Sequence, residues 1–558
     1  MRRPMRRPLV AAAAVLLLAV LTACTGNGPG GRGPAADDPP PAASPTAVPR
    51  LDKPVTLRVL GSDDLKDMGE VITAAAKATN VTLDIDYVGS LAGAQFVADG
   101  QTRGRYDAVW FASNAYLALT PGGTTRVTTS TPIMTSPVVL GLDAGVAKRL
   151  GWDRKAPTWD AIANAAAAKK FSYGMGDPSQ SNGAFSALVT VASALSGQGE
   201  VLDTRQIDAV APGLRRFFSA QALSAGSDTA LASRFAKRAG KVGAPDGLVN
   251  YESSVLALNA GSQRKKPLSV VVPADGVISA DFPLAQLEGV DAQAKSAYAA
   301  VTAWLRSPDG QQLIMDKTSR RPVVAGVKPA EKFGDRLLVE LPFPAQRAVL
   351  RKLITSYQNS VRRATQTIYV LDLSGSMQGE RIKALRSALV SLSGGGGKGS
   401  GGYAVFRERE TVSLLGYASS PRTAQVFTIP ANRSGATRAR IRQAARDLDA
   451  TNGNTATYSA LRSAYELAAR QTAAKPGALT SIVLMTDGET NRGIKAAEFR
   501  SFYRGLPRQV RAVPTFTVKL GSANAKALGG IADLTGGKLF TVKGTRLTGA
   551  FKEIRAYQ

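Results

Sequence analysis

Short apolar runs alternate with amphipathic stretches from residue 54 onward. Residues 56–60 and 81–87 have the β-rich composition of strands, and a helical stretch lies between them at 64–78. Alternation of this kind predicts βαβ units and a mixed or parallel sheet. Further strands are predicted at 106–112 and 138–142, so the first half of the chain is expected to be an α/β structure.

The same alternation returns in the last third of the chain. Residues 367–372 form a continuous apolar run that is typical of a strand buried on both faces, and a helix is predicted at 380–392. A closing strand, helix and strand are predicted within 515–540. This part of the chain is therefore expected to be a second, doubly wound α/β domain, with polar residues at the carboxyl ends of its strands.

The chain before residue 54 has a different pattern. Arg2, Arg3, Arg6 and Arg7 precede an apolar run at 9–21, which is too short to span a membrane comfortably and predicts a signal peptide. The run ends in Leu-Thr-Ala-Cys, which resembles a bacterial lipobox. That resemblance implies cleavage after residue 23, lipidation of Cys24 and a protein anchored at the extracytoplasmic face of the cell membrane. The paired arginines leave both general secretion and twin-arginine export open.

These patterns predict five segments. They are a signal peptide at 1–23, a Pro/Gly/Ala-rich tether at 24–50, a first domain at 51–340, a connecting helix at 341–365 and a second domain at 366–558. The connecting helix places Val349, Leu350, Leu353 and Ile354 on one side. Because no flexible linker precedes residue 367, the two domains are expected to pack together.

Composition excludes several kinds of chemistry. The chain has no histidine and a single cysteine, which removes histidine-dependent catalysis, disulfides within the chain and thiolate zinc clusters. The formal net charge of +28 raises the possibility of nucleic-acid binding. No motif of a nucleic-acid-binding module is present and the chain is predicted to be exported, so no nucleic-acid partner is expected.

The first domain resembles the extracellular solute-binding proteins of ABC importers, in their two-lobed, periplasmic-binding-protein-like form. The motifs that carry the resemblance lie at 106–114, 176–182, 281–284 and 304–311. The resemblance implies two α/β lobes that close over a small solute, with the ligand held by polar residues at strand ends and helix N-termini. The candidate ligand contacts are Ser62, Ser113, Asn114, Ser136, Ser181, Asn182 and Tyr251.

Each of these contacts has a structural alternative. Ser181 and Asn182 could serve only to cap the helix that follows them, and Tyr251 could serve only in packing. Because no basic residue stands within these polar clusters, the sequence leaves open whether the solute is uncharged or an oxyanion.

The second domain contains a candidate metal site. Asp372, Ser374 and Ser376 place one carboxylate and two hydroxyl groups on a turn between a strand and a helix. Such oxygen ligands suit a hard divalent cation: Mg²⁺ first, with Mn²⁺ or Ca²⁺ as alternatives. The pattern is similar to that of von Willebrand factor A (VWA) domains, in which a threonine and an aspartate from two further loops complete a metal-ion-dependent adhesion site. Thr455 and Asp487 match those two positions.

The resemblance implies a role for each of these residues. Ser374, Ser376 and Thr455 would bind the metal directly, and Asp372 and Asp487 would act through bound water. A sixth position would stay open for an acidic residue of a protein partner. Asn454 departs from the family pattern, since glycine is common before the threonine.

Three functions follow as alternatives. The first is a membrane-anchored binding protein that engages a protein partner through the metal site. The second is the solute-binding lipoprotein of an ABC importer, with the VWA domain as an accessory docking domain. The third, an enzyme, is not expected, because no acid/base carboxylate pair is evident and Asp63, Asp64, Asp84 and Asp86 are interpreted as solvated charges. The glycine-rich stretch at 394–402 is interpreted as a surface connection, since it lacks the phosphate-loop pattern.

Overall fold

The structure is a computed structural model that describes residues 48–558, apart from 198, 200, 262–265, 396–404, 543–546 and 558. The predicted signal peptide, the lipidation site Cys24 and nearly all of the predicted tether lie outside the described residues. Most of the glycine-rich stretch at 394–402 also lies outside them.

The strands, numbered in chain order over the described residues, are β1 (Val55–Ser62), β2 (Val81–Val88), β3 (Ala108–Trp110), β4 (Val127–Pro132), β5 (Ser136–Asp143), β6 (Tyr173–Met175), β7 (Gln221–Leu223), β8 (Gly247–Tyr251), β9 (Leu268–Val271), β10 (Ser279–Ala280), β11 (Pro283–Leu287), β12 (Thr365–Asp372), β13 (Thr411–Tyr417), β14 (Gln425–Thr428), β15 (Leu479–Thr486), β16 (Thr515–Lys519) and β17 (Leu539–Thr541).

The α-helices are α1 (Gly69–Thr79), α2 (Ser90–Ala98), α3 (Ala115–Ala118), α4 (Ala144–Leu150), α5 (Trp159–Ala167), α6 (Asn182–Ser196), α7 (Thr204–Phe218), α8 (Asp228–Arg238), α9 (Glu252–Ala260), α10 (Ala292–Leu305), α11 (Pro308–Thr318), α12 (Arg347–Ser356), α13 (Glu380–Val390), α14 (Ser434–Arg446), α15 (Thr457–Ala474), α16 (Ala496–Gly505), α17 (Arg508–Arg511), α18 (Ala525–Thr535) and α19 (Leu547–Ala556). In the part of the chain that the structure describes, no helix has the length and apolar character needed to cross a membrane.

The first lobe is built on a mixed sheet in the order β2-β1-β3-β11-β4. Strand β1 pairs in parallel with β2 and β3, whereas β11 runs antiparallel to β3 and β4. The inward side chains of β1, Leu57 and Val59, are fully buried. The loops that follow β1 and β3 therefore leave the sheet at the same edge, where parallel strands have their carboxyl ends.

The second lobe has its own mixed sheet, in the order β10-β5-β8-β6-β7, with β9 also paired to β5. Its core contains α6, in which every residue from Asn182 to Ser193 is buried. The chain passes between the lobes after β4 and again between β10 and β11. A third crossing follows α11, where Arg321 pairs with Thr135. The lobes are thus joined by three short segments.

The last domain contains a six-stranded sheet in the order β14-β13-β12-β15-β16-β17. All pairs are parallel except β13 with the edge strand β14. Strand β12 is central and buried along its whole length, as its apolar sequence predicts. The expected class is confirmed: a two-lobed α/β domain is followed by a doubly wound, Rossmann-like sheet.

Helix α12 joins the two domains. Its side chains Val349, Leu350, Leu353 and Ile354 are all buried. A π-helical turn at Tyr357–Val361 extends it, and the ring of Tyr357 packs edge-on against Phe218 with centroids 5.0 Å apart. The connection between the domains is therefore packed onto α7 of the second lobe.

The second lobe and the last domain share a buried junction. Apolar side chains of both, among them Leu223, Phe235 and Phe516, belong to one hydrophobic cluster. Polar contacts supplement it: the Ser224 hydroxyl donates to the carbonyl of Ala556 at 2.8 Å, and the Arg234 guanidinium lies 5.0 Å from the Phe516 ring centre. The close packing of the two domains matches the absence of a linker in the sequence.

A buried ion pair also crosses this junction. Arg407 Nη2, from the last domain, lies 2.9 Å from Asp177 Oδ2, and both side chains are 3% exposed. The other carboxylate oxygen of Asp177 accepts hydrogen bonds from the backbone and hydroxyl of Ser179. Asp177 belongs to the motif at 176–182 that carried the solute-binding resemblance. One residue of that motif therefore fastens the domains together.

Candidate functional site

The predicted metal residues converge at the carboxyl ends of β12 and β15. Asp372 ends β12 and is fully buried. Its Oδ1 accepts hydrogen bonds from the backbone N–H of Ser374 at 2.9 Å and from the Ser374 hydroxyl at 2.6 Å. Its Oδ2 accepts one from the hydroxyl of Thr486 at 2.6 Å. The turn after β12 is thus organised around a single carboxylate.

A second carboxylate closes the site from β15. Ser376 Oγ lies 3.2 Å from Ser374 Oγ and donates to Asp487 Oδ1 at 2.7 Å. The side chain of Asp487 is fully buried. Asp372, Ser374, Ser376 and Asp487 therefore form one hydrogen-bonded cluster.

Thr455 reaches the same place from the second loop. A Cβ atom added to Gly488 would lie 3.4 Å from Ser376 Oγ and 3.5 Å from Thr455 Oγ1, so both hydroxyl groups border one small space. The backbone N–H of Gly375 donates to the carbonyl of Gly453 at 3.0 Å, which holds the first and second loops together. The backbone N–H of Thr455 is in turn bound by the Asn491 side chain at 2.8 Å.

The donor set fits a hard divalent cation. Three hydroxyl groups and two carboxylates supply only oxygen, which Mg²⁺ prefers. The separation of 3.2 Å between the two serine hydroxyls is close to the edge of about 3 Å of an octahedron with ligands at about 2.1 Å. Among the residues that the structure describes, no three Asp, Glu, His or Cys side chains converge as a metal site. A metal here would therefore depend on the hydroxyl groups.

Arg381 is a part of this site that sequence reasoning missed. Its guanidinium pairs with Asp487 Oδ2 and donates to the carbonyl of Ser376 at 2.9 Å. The side chain is 42% exposed, so it approaches the cluster from the solvent side. A basic residue in an exposed position of a helix carries no sequence signal for such a role.

The pKa of Asp372 is raised by burial of its carboxylate. The hydrogen bonds that this carboxylate accepts from Ser374 and Thr486 act in the opposite direction.

The seven candidate solute contacts occupy different positions in the first domain. Ser62, Ser136, Ser181, Asn182 and Tyr251 are buried, whereas Ser113 and Asn114 are half-buried. Ser136 Oγ contacts Ser253 Oγ at 3.2 Å. Ser113 Oγ accepts a hydrogen bond from the N–H of Ala115, and the Asn114 amide donates to Ser130 Oγ.

The remaining four candidates lie around two aspartates. Ser62 Oγ donates to Asp64 Oδ2 at 3.2 Å, and Ser181 Oγ donates to Asp228 Oδ2 at 2.8 Å. The amide of Asn182 donates to the Tyr251 hydroxyl at 2.8 Å. Ser181 also caps α6 by accepting a hydrogen bond from the N–H of Ala184, which the sequence offered as its alternative role.

The interpretation of Asp64 as a solvated charge is wrong. Its side chain is half-buried in the turn after β1, and α8 of the other lobe covers that turn: Thr229 Oγ1 donates to the carbonyl of Asp63 at 3.3 Å. Burial, followed by the negative charge of Asp228, raises the pKa of Asp64 well above its ordinary value. The covering helix comes from far along the chain, so local sequence does not reveal the burial.

Comparisons with known proteins give two family matches. The model of a bacterial extracellular solute-binding protein matches residues 57–317, and the model of the von Willebrand factor type A domain matches residues 368–553. A comparison with curated protein sequences gave no match.

Several solved structures are similar to part of the chain. The periplasmic binding protein AfuA from Actinobacillus pleuropneumoniae, with fructose-6-phosphate bound, has 12% identity and a TM-score of 0.44 over 56% of this chain and 99% of its own. A periplasmic thiamin binding protein has 16% identity and a TM-score of 0.44, over 57% and 99%. Iron-bound HitA from Pseudomonas aeruginosa has 14% identity and a TM-score of 0.41, over 54% and 96%. These similarities concern the fold alone. The chain therefore contains a bacterial extracellular solute-binding domain at 57–317, followed by a von Willebrand factor type A domain at 368–553.

Proposed function

We propose that this protein is a membrane-anchored, extracytoplasmic binding protein that engages a protein partner through a divalent cation held in the VWA domain. The observation that carries the proposal is the cluster of Asp372, Ser374, Ser376 and Asp487, which Thr455 borders. The three hydroxyl groups would hold the cation, Mg²⁺ in the first instance with Mn²⁺ or Ca²⁺ as alternatives. The two carboxylates would act through water.

The partner would supply the remaining ligand. A cation held by neutral hydroxyl groups keeps most of its positive charge, and an aspartate or glutamate of the partner would complete its coordination. Lipid attached to Cys24 would hold the protein at the membrane, and the role would be binding rather than catalysis.

The experiment that tests this proposal is capture of envelope proteins by the full chain in Mg²⁺. Partners should be retained by the wild type and released by a chelator, and Asp372→Ala should capture none. Glu380→Ala is the matched control, because Glu380 lies close by in sequence but is exposed and pairs only with Lys383 among the contacts described. Capture that is unchanged by both the chelator and Asp372→Ala would contradict the proposal.

A second candidate function is solute binding for an ABC importer, with the VWA domain as a docking accessory. The polar cluster of Ser62, Ser181, Asn182 and Tyr251 between the lobes favours it. The two functions are compatible, since they use different domains. Ligand-dependent melting of the full chain tests the second, because a ligand that binds only the folded state raises stability.

A further inference from the structure

The cleft between the two lobes contains two carboxylates from opposite sides. Asp64 belongs to the turn after β1 in the first lobe, and Asp228 is the first residue of α8 in the second. The hydrogen bond from Thr229 to the carbonyl of Asp63 brings the two elements together. Each carboxylate thus lies where the lobes close on each other.

Asp228 is buried with half of its carboxylate unsatisfied. The residue is 2% exposed, and its Oδ2 accepts hydrogen bonds from the Ser181 hydroxyl and the N–H of Gly183. Its Oδ1 has no hydrogen-bond partner in the part of the chain that the structure describes. A buried carboxylate oxygen without a partner is costly for a folded protein, so a group that binds it would stabilise the closed form.

The groups that favour the ionised form of Asp228 are all neutral. Burial raises its pKa, and only the Ser181 hydroxyl and backbone N–H groups are found to lower it among the described residues. Asp64 differs, because the charge of Arg320 partly offsets that of Asp228. Arg320 is itself engaged by Asp67, at 2.8 and 3.0 Å, and by the Phe282 ring at 4.7 Å. The two carboxylates therefore have a single nearby arginine among the described residues, and it is already paired with Asp67.

Tyr251 and Asp64 border an open pocket beside α8, the helix that Asp228 begins. Burial, and then the charges of Asp228 and Asp64, raise the pKa of the Tyr251 hydroxyl. That hydroxyl accepts a hydrogen bond from Asn182, and the Ser186 hydroxyl lies within hydrogen-bonding reach of it. Tyr251 and Asp64 line a pocket of 480 Å³, with Ser253 on the same wall and Lys237 exposed at its rim. This volume suits a small organic molecule.

We propose that this pocket between the lobes binds a small organic cation, with its amine or guanidine group against Asp64 and the Tyr251 hydroxyl and near the charge of Asp228. The assignment rests on the solute-binding role proposed above for this domain. Such a group brings N–H donors for the Asp64 carboxylate and a positive charge that offsets the repulsion between Asp64 and Asp228. A bare metal ion fits less well, because no third acidic, histidine or cysteine side chain converges here among the described residues. The sequence had left only an uncharged solute or an oxyanion open, since it does not show that the two aspartates meet.

The test is thermal melting of the full chain with a panel of named compounds, followed by calorimetric titration of those that act. The cations are ethanolamine, choline, putrescine and agmatine, and glucose and sulfate are the neutral and anionic comparators. At about 100 times its dissociation constant, a binding cation should raise the melting temperature by about 2–5 °C. Asp64→Asn and Asp228→Asn should each weaken its binding at least about tenfold.

Asp84→Asn is the matched control, because Asp84 lies on the exposed face of β2 in the same lobe. Without ligand, Asp228→Asn should melt at a higher temperature than the wild type, since it removes a buried charge, and this also shows that the variant folds. Asp64→Asn is a second variant, at a half-buried residue that lines the pocket.

Two results would overturn the cation proposal. One is a panel in which no cation shifts the wild type, and the other is a shift that survives unchanged in both asparagine variants. If glucose or sulfate binds instead and the variants respond normally, solute binding stands and only the cation is wrong. Loss of partner capture in Asp372→Ala is measured in a separate experiment, so its outcome does not change the interpretation of the solute-binding test.

Discussion

At the scale of single residues, Arg381 adds a positive charge to the proposed metal site. It pairs with Asp487, whose side chain is fully buried, and it lies on α13 just after the turn that contains Ser374 and Ser376. With Asp372 and Asp487 ionised, Arg381 reduces the site's net charge from −2 to −1. A cation that enters the site therefore meets one positive charge that is already in place.

Replacing Arg381 should strengthen metal binding. Arg381→Ala removes a positive charge near the cation and frees Asp487 Oδ2, so Mn²⁺ should bind about threefold to tenfold more tightly, a modest gain because the arginine is partly solvated. Manganese titration followed by electron paramagnetic resonance measures this directly. Lys383→Ala, which removes an exposed cation from the same helix, is the control. Weaker binding in Arg381→Ala would mean that the arginine serves mainly to position Asp487.

At the scale of elements, the buried ion pair ties the segment before α6 to the VWA domain. Asp177 and Arg407 meet at 2.9 Å with both side chains almost fully enclosed. Removing one partner of such a pair leaves an uncompensated buried charge.

Asp177→Ala should therefore lower the free energy of unfolding by about 3–5 kcal/mol. Arg386→Ala is the matched control, because it breaks the Arg386–Asp449 pair, whose carboxylate is 79% exposed, and should cost under about 1 kcal/mol. Urea denaturation of the full chain gives both values. Equal losses of unfolding free energy in the two variants would show that the buried Asp177–Arg407 pair stabilises the fold no more than an exposed pair does.

The elements that sequence predicts well are those whose pattern is local. Strand β12 follows from its apolar run, and the buried side of α12 follows from the spacing of Val349 to Ile354. The convergence of Asp372, Ser374, Ser376 and Asp487 was also predictable, because the resemblance to VWA domains identifies each loop by its own motif. The pairing of Asp177 with Arg407 and of Asp64 with Asp228 was not, since the partners come from distant segments and each resembles an ordinary surface charge in sequence.

At the scale of the whole molecule, the contacts described for the VWA domain are with one lobe only, the second. Its sheet meets the second lobe at the amino ends of β15 and β16, where Leu479 and Pro514 line a cavity of 280 Å³ together with Leu223 and Ser224. The proposed metal site lies at the opposite, carboxyl ends of the strands. Strand β12 has eight residues, so the two ends are separated by about 23 Å.

The two domains should unfold together because they share this junction. All four tryptophans lie between residues 110 and 304, so tryptophan fluorescence reports on the solute-binding domain, whereas circular dichroism reports on both domains. The two melting curves should coincide for the wild type. Arg234→Ala, which removes the cation packed on Phe516 and Tyr557, should separate them. Curves that are already separate in the wild type would contradict cooperative unfolding.

The first described residues pack on the lobe that does not carry the VWA domain. The N–H of Leu51 donates to the carbonyl of Thr79, so the chain enters the fold against the first lobe, whereas the VWA domain is fastened to the second. The entry point thus lies on the first lobe, whereas the proposed metal site belongs to the domain that packs on the second. A rotation of one lobe against the other would therefore reorient the face that carries the proposed metal site relative to the point where the chain enters the fold. With the lipid anchor proposed at Cys24, occupancy of the cleft would then set the direction in which that face points from the membrane.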